Sequence, residues 1–183
     1  MYYKCNTGAV LVRKRSDMPI WVKWTHHSEG KTTCEECLML DGCWFLRSKA
    51  PKWPHHLFCY CTLDPIDYSM VLMNTSAYSD YRKFDPYLFN TNGNYTHTKE
   101  KLFAQWGYTI DDAYWLQTEI ERQAREKYIA GEYILGKLNN DGQRISIRIE
   151  IPRKDETGTT SFLSGWMVQS NGQLRLITPY GGK

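Results

Sequence analysis

The sequence lacks any uninterrupted run of eighteen or more apolar residues, the length that a membrane-spanning helix needs. A secretory signal peptide is also lacking, because residues 1–15 are rich in Tyr and Lys and contain no apolar run before a small-residue cleavage site. These absences predict no membrane partner. We expect an unprocessed, cytoplasmic chain.

A strong excess of charge of either sign is absent as well. The 23 basic and 20 acidic residues give a formal net charge of +3, which is too small to predict nucleic-acid binding from bulk charge, although it permits a local basic surface. With 183 residues, 42% of them hydrophobic, the chain can bury one ordinary core or two small ones.

Cysteine is absent from the chain beyond residue 61, whereas all the long periodic segments follow residue 95. This contrast predicts a small zinc-binding domain at residues 1–68, a connection at residues 69–82 and an α+β domain at residues 83–183. The connection combines turn-forming Asn, Ser and Asp with a short apolar run, and it shows no sustained period.

Four of the six cysteines are spaced as metal ligands. Cys34 and Cys37 form a Cys-x-x-Cys pair, in which two thiolates can bind one ion while the intervening amides stabilise their charge. Further along, His56, Cys59 and Cys61 form a His-x-x-Cys-x-Cys group. Sulfur ligands favour Zn²⁺ over Mg²⁺ or Ca²⁺. The sequence predicts zinc bound by the cysteines at 34, 37 and 59, and leaves open whether the fourth ligand is the histidine or the last cysteine.

The predicted zinc is structural, because four protein ligands complete a tetrahedron and leave no position for water. A unit of about 70 residues with short strands has a marginal core, which a bound ion can stabilise. Two alternatives remain. The thiols can be ordinary buried residues of a small core, or the ion can occupy an open catalytic site that includes His26, His27 or His55.

The rest of the first half carries weaker signals. Residues 8–14 and 20–26 are predicted to form short strands, since each contains a short run rich in apolar residues. Cys5 and Cys43 lie outside the tight spacings, and we expect them to be free thiols.

Residues 98–131 are predicted to form two helices. Thr98 can cap a short helix that Gly107 ends, and Thr109 with Asp112 forms a capping box for a longer helix that stops at Gly131. Apolar residues recur in the longer helix at spacings of three and four, which gives it one apolar face. These residues are Ala113, Leu116, Ile120 and Ala124.

Four strands are predicted to follow, at residues 132–138, 143–151, 161–169 and 173–178. The second strand alternates isoleucines with polar residues, which include Arg144, Arg148 and Glu150. Turn signals at residues 139–142 and 170–172 favour hairpins, and therefore an antiparallel meander. The predicted fold class is α+β, with a small zinc knuckle domain plus two helices packed on a four-stranded antiparallel sheet.

The cysteine-rich segment resembles part of a phage protein family. TTCEECLMLDG at residues 32–42 and PKWPHHLFCYCTLDPI at residues 51–66 resemble the C-terminal end of phage minor head proteins of the Mu F and SPP1 head-morphogenesis type. Those proteins carry Cys-x-x-Cys, Leu-Asp-Gly and a closing Pro-x-His-x-x-Cys-x-Cys. The resemblance covers about residues 20–67, and it implies the zinc site and phage head or portal proteins as partners.

The second half resembles an uncharacterised domain at the ends of phage head proteins and bacterial polymorphic toxins. Residues 83–90, 99–108 and 164–182 carry this resemblance, together with the GQRI strand. The order of two helices and four antiparallel strands is also similar to RelE, colicin and EndoU-type ribonuclease toxins. The resemblance implies a metal-independent domain that holds RNA on the sheet face not covered by helices, with an immunity protein as a further partner.

Cleavage of RNA needs a base for the ribose 2′-hydroxyl, cations for the phosphorane charge and an acid for the leaving oxygen. Arg144, Arg148 and Arg175 can supply the cations from the polar sheet face, and Thr178 and Tyr180 can offer hydroxyls to a phosphate. Further candidate contacts or acid–base groups are Lys137, Lys154, Lys99 and His97. The other interpretation is that the arginines form the solvated face of an antiparallel sheet.

Three functional hypotheses follow from these patterns. The leading one is a phage-derived toxin-like effector that joins a zinc knuckle to an RNA-cleaving domain and acts in the cytoplasm of a bacterial host. The alternative is a non-enzymatic phage minor capsid or head-assembly protein in the virion, for which seven Trp and thirteen Tyr offer interface side chains. A third hypothesis is a nucleic-acid-binding module without catalysis, which the small net charge disfavours.

Overall fold

The computed structural model describes residues 19–28 and 34–182, and these form an α+β fold with two sheets. The strands are β1 (Trp21–Thr25), β2 (Trp44–Leu46), β3 (Thr62–Ile66), β4 (Ser76–Tyr78), β5 (Tyr133–Asn139), β6 (Gly142–Pro152), β7 (Thr159–Val168) and β8 (Gln173–Gly182). The helices are α1 (Glu35–Leu40), α2 (Tyr68–Asn74), α3 (Lys99–Gln105) and α4 (Ala113–Ile129). Short helical turns lie at Arg47–Lys49, Tyr81–Lys83, Phe84–Leu88 and Ile110–Asp112. The predicted fold class is confirmed.

The smaller sheet has the order β2-β1-β3, and both pairs are antiparallel. Its central strand β1 buries Trp21, Val22 and Trp24, so the strand predicted at residues 20–26 is confirmed. The strand predicted at residues 8–14 and the free thiol predicted at Cys5 lie outside the described residues.

The larger sheet has the order β4-β8-β7-β6-β5. Strands β5 to β8 form the predicted antiparallel meander, and the hairpins fall at the predicted turns. Strand β4 pairs in parallel with β8 and adds a fifth strand. The connection predicted at residues 69–82, as a linker or a packed segment, contains most of α2 and all of β4. Three residues are too few to show the alternation by which a strand is recognised.

The core between α4 and the larger sheet follows the predicted pattern. Ile145, Ile147, Ile149 and Ile151 are buried on one face of β6, and the apolar face of α4 is buried opposite them. Each such side chain contributes about 1.5–3 kcal/mol when fully buried. The capping box of Thr109 and Asp112 precedes α4 as predicted. No helix in the described part of the chain is long and apolar enough to cross a bilayer.

The two sheets share this core. The rings of Trp21 in β1 and Tyr128 in α4 meet edge to face, with centroids 5.1 Å apart. The Tyr128 hydroxyl also donates a hydrogen bond to the Trp44 carbonyl. Cys43 forms an isolated bridge with Ser170 in the turn between β7 and β8. The smaller sheet is thus packed on the larger one.

Gly172, in the turn between β7 and β8, tests this packing. A Cβ at Gly172 would lie 2.7 Å from Trp44 Cε3, and the backbone φ there is +77°. We expect Gly172→Ala to lower the free energy of unfolding by about 2–4 kcal/mol, since overpacking adds to the cost of a left-handed backbone. Gly93→Ala is the control, because Gly93 has φ +68° and no atom near its Cβ position. If urea denaturation shows that Gly172→Ala and Gly93→Ala lower the free energy of unfolding equally, the packing effect is contradicted.

Candidate functional site

The metal cluster comprises Cys34, Cys37, His56, Cys59 and Cys61. Cys34 is the N-cap residue of α1, and the next cysteine lies one turn later, where it is buried. The other three residues lie in the loop that leads from β2 to β3. Because β2 and β3 both pair with β1, this loop returns to α1 and brings the two halves of the motif together.

Cys37 lies at the centre of the metal cluster. Its Sγ is 3.8 Å from Cys59 Sγ and 3.4 Å from His56 Nε2. A tetrahedral zinc site would place two sulfurs about 3.8 Å apart, and a sulfur and a nitrogen about 3.5 Å apart. Two overlapping groups, Cys34–Cys37–His56 and Cys37–Cys59–Cys61, have ligand atoms within 4.8 Å of one another. The five predicted residues therefore form a cluster that can hold a metal ion.

The surroundings of three thiols in the metal cluster shift their pKa values in different directions. Burial, followed by hydrogen bonding with neighbouring thiols, raises the pKa of Cys37 far above its usual range, and burial also raises that of Cys61. Burial acts in the same direction on Cys59, but hydrogen bonds from the His55 and Cys61 backbone outweigh it and lower its pKa to about 7. Deprotonation of several thiols this close together needs a bound cation, which metal coordination supplies.

The histidines near the metal cluster have different partners. His56 Nδ1 lies 2.8 Å from the Leu57 carbonyl, so Nδ1 carries the proton and the Nε2 lone pair is free toward Cys37. Hydrogen bonding of this kind orients many histidine metal ligands. His26 Nδ1 lies 3.5 Å from Cys61 Sγ, while His27 Nε2 is 3.1 Å from Thr62 Oγ1.

Two further residues lie outside the metal cluster. His55 Nε2 is 2.5 Å from Glu36 Oε2, so a carboxylate already occupies this ring nitrogen. Cys43, which was predicted to be a free thiol, is buried with its Sγ 3.7 Å from the carbonyls of Met39 and Val168.

The second candidate site lies on the open face, by which we mean the face of the larger sheet that carries Arg144 and Arg175, opposite α4. In the strand register, Met167 of β7 lies directly between these two arginines. Both arginines are exposed, whereas Met167 is only 2% exposed, as expected where long side chains lie over it. Two strand spacings separate the arginine Cα atoms by roughly 10 Å, so both guanidinium groups can reach one phosphate.

Arg148 does not join this pair. It lies opposite Leu163, four residues from Arg144 along β6, which corresponds to roughly 13 Å. Its guanidinium donates to Ser161 Oγ at 3.1 Å. The structure thus places two of the three predicted arginines near each other. The alternating pattern of β6 predicted that Arg144 and Arg148 share a face, but it did not predict how far apart they lie.

Thr178 joins the open face through an irregularity in β8. Gly165 pairs with Thr178 and Trp166 with Leu176, so β8 has one extra residue between them. The Thr178 side chain then lies on the Gly165 side, where Lys99 Nζ donates to its Oγ1 at 3.1 Å. Tyr180 instead packs its ring against Phe103 and Phe162.

The remaining predicted contacts are scattered. Lys154 Nζ lies 2.7 Å from Asp112 Oδ1, an ion pair next to the capping box. Lys137 is exposed on β5, at the opposite edge of the sheet from β4. His97 lies beside Glu100, with Nδ1 3.3 Å from Oε2. Sequence reasoning missed Tyr87, which contacts Lys99, because the contact depends on how residues 79–98 fold over the end of β8.

The larger sheet and its helices coincide with a known protein family. Residues 72–183 match DUF6883, described as a domain of unknown function. Because this match covers more than half of the 183 residues, the chain belongs to the DUF6883 family. Comparisons with curated proteins and with solved structures gave no match.

Proposed function

We propose that the chain is a phage-derived toxin-like effector, in which the DUF6883 domain cleaves RNA without a catalytic metal and the metal cluster holds a structural zinc ion. The observation that carries the proposal is the pair Arg144 and Arg175 on the open face, with Thr178 three residues along β8. The resemblance to phage head proteins and toxin domains supports the same proposal. The expected place of action is the cytoplasm of a bacterial host.

The arginine pair suits phosphodiester chemistry for a physical reason. A guanidinium can donate two parallel hydrogen bonds to phosphate oxygens, and its charge persists at every physiological pH. Arg144 has only a long contact with Asp141, at 3.5 Å, and both arginines are exposed. They are therefore available to stabilise the charge that develops when the 2′-hydroxyl attacks the adjacent phosphate.

The reaction products test this proposal. Purified protein is incubated with total RNA and with tRNA, without added divalent metal. Attack by the 2′-hydroxyl breaks the bond to the 5′-oxygen, so we expect fragments with 2′,3′-cyclic phosphate and 5′-hydroxyl ends. RNA that stays intact in the presence of protein with stoichiometric zinc would reject the ribonuclease and favour the alternative below. A steep loss of RNA binding with salt, without cleavage, would instead identify a binding module.

Zinc is the proposed occupant of the metal cluster because thiolate and imidazole ligands at tetrahedral spacing select this ion. We assign the ligands as Cys34, Cys37, His56 and Cys59. The reason for choosing the histidine over Cys61 is its free Nε2, which faces Cys37 at 3.4 Å while Nδ1 is held by a carbonyl. Four protein ligands make the site closed and structural.

The fourth ligand can be identified by substitution. We expect His56→Ala to lose zinc or to bind it at least tenfold more weakly, because only three good ligands remain. Cys61→Ala is the matched change, and we expect it to retain stoichiometric zinc by elemental analysis. If instead Cys61→Ala loses zinc and His56→Ala retains it, the ligands are the four cysteines of the metal cluster.

The alternative function is a phage head-assembly protein, and one observation favours it. Leu57, Phe58 and Tyr60 beside the metal cluster are 81%, 78% and 57% exposed. Exposed apolar patches often mark protein interfaces. This hypothesis expects the protein to co-sediment with phage particles at a fixed copy number, and its absence from particles would reject that role.

A further inference from the structure

Lys99 lies in an unusual environment at the start of α3. Its Nζ donates to Tyr87 Oη at 2.8 Å and to Thr178 Oγ1 at 3.1 Å, and it lies 4.7 Å from the centre of the Tyr87 ring. The side chain is partly buried, and no carboxylate among the described residues forms an ion pair with it. A partly buried ammonium with only neutral partners favours the arrival of an anion.

The surroundings of Lys99 increase this positive charge. Lys83 Nζ lies 5.9 Å from the Tyr87 ring centre, and Lys101 lines the same cleft as Lys99. The nearest acidic residue along the chain, Glu100, is turned toward His97. Three lysines therefore lie close to Tyr87 or to this cleft, and none of them forms an ion pair with a carboxylate of the described residues.

Two hydrogen-bond donors at this place can serve an incoming ligand. An ammonium has three N–H groups, and two of those on Lys99 are used by Tyr87 and Thr178. The Tyr87 oxygen accepts from Lys99, and its hydroxyl also interacts with that of Thr178, but its O–H can rotate toward an incoming anion. The Thr178 hydroxyl, by contrast, donates to the Tyr180 carbonyl at 2.9 Å. Thr178 thus positions the lysine, while Lys99 and Tyr87 each offer one donor, from atoms 2.8 Å apart.

The space beside Lys99 fits a nucleotide. A cleft of about 460 Å³ opens next to Lys99, lined also by Thr98, Lys101, Leu102, Gln105 and Tyr180. Small-molecule sites have volumes of about 300–1,000 Å³. Close to Tyr87, the rings of Tyr95 and His97 lie nearly parallel at 5.5 Å. Nucleobases bind readily to aromatic surfaces of this kind.

We propose that Lys99 and Tyr87 form a binding site for the phosphate group of a nucleotide, in which Lys99 supplies the charge, Tyr87 supplies a hydroxyl donor and Thr178 positions the lysine. The identification of RNA as the source of that phosphate rests on the proposed function. The phosphate site itself is inferred from the contacts of Lys99 and Tyr87. In RNA cleavage, the site would hold a phosphate adjoining the one that Arg144 and Arg175 contact.

Calorimetric titration of the full chain with adenosine 3′-monophosphate and with inorganic phosphate tests the site. We expect Lys99→Met to weaken binding of both ligands at least tenfold and Tyr87→Phe to weaken it about threefold to tenfold, because charge-assisted hydrogen bonds are stronger than neutral ones. Lys52→Met, which removes an exposed lysine in the loop of the metal cluster, is the control and should bind as the wild type does. Thermal melting shows whether each variant is folded.

The outcomes separate this site from the ribonuclease proposal. Tighter binding of the nucleotide than of inorganic phosphate supports a nucleotide ligand, whereas equal binding supports a site for phosphate alone and overturns the nucleotide. If neither binds the wild type, or if Lys99→Met and Tyr87→Phe both bind unchanged, the site does not exist. Nucleotide binding with intact RNA would keep the site and reject the ribonuclease. RNA cleavage without Lys99-dependent binding would support the ribonuclease and reject the phosphate site.

Discussion

Replacement of Cys37 by Ser is expected to abolish binding of the proposed zinc ion and to lower the free energy of unfolding by several kcal/mol. Cys37 belongs to both groups of candidate ligands and to the ligand set assigned above, so its loss breaks both groups. Structural zinc sites bind with about 10–16 kcal/mol of apparent free energy, and that energy stabilises the fold. Zinc content by elemental analysis and urea denaturation followed by circular dichroism measure the two effects.

Cys43→Ala is the control for the zinc prediction. Cys43 is also a buried thiol, but it lies outside the metal cluster against the carbonyls of Met39 and Val168. This change should cost about 1 kcal/mol through lost packing and leave the zinc content unchanged. Wild-type protein that is fully stable without metal would contradict a structural zinc site.

If the chain cleaves RNA as proposed, the Arg144→Ala, Arg175→Ala double variant is expected to do so about 100-fold more slowly than the wild type, or slower still. Removal of a single preorganised donor to a transition-state oxyanion typically costs a factor of 10²–10³ in rate. The variant should fold normally, because both guanidinium groups are exposed. The rate of cleavage of a defined tRNA, measured under single-turnover conditions, gives the effect directly.

Arg122→Ala is the matched change for the arginine pair. Arg122 is exposed on α4, where it pairs with Glu119 and Glu126 away from the open face. Its loss should leave cleavage unchanged. In bacteria, expression of the wild type without a partner protein should inhibit growth. Expression of the double variant in its place should not. Cleavage that survives in the double variant, or harmless expression of the wild type in several hosts, would count against the proposal.

The part of the fold that follows from local chemistry was predictable from the sequence. Gly107 and Gly131 end their helices with φ near +80° and +75°, conformations that glycine adopts without steric cost. The alternating isoleucines of β6 and the capping box before α4 likewise depend on neighbours within a few residues. The metal cluster was predictable for the same reason, since each of its two ligand groups is compact in the sequence.

Features that depend on distant pairing were not predictable. Strand β4 has only three residues and is held by the backbone of β8. The extra residue near Ile177 in β8 rotates Thr178 onto the open face, and no sequence pattern marks that irregularity. The contact between Tyr87 and Lys99 joins a loop to a helix start across the end of a strand. The position of Arg175 relative to Arg144 and Arg148 became visible only once the register of β6 to β8 was known.

The contact of Gly172 with Trp44 and of Trp21 with Tyr128 has a practical consequence for any attempt to study the DUF6883 domain in isolation. The family match begins at residue 72, but the hydrophobic interior does not divide there. A fragment cut at that position would expose the ring of Tyr128 and the turn at Gly172, which β1 and β2 now cover. The region that matches the family is therefore smaller than the region that folds around one core. A fragment that begins at residue 72 would be prone to aggregate.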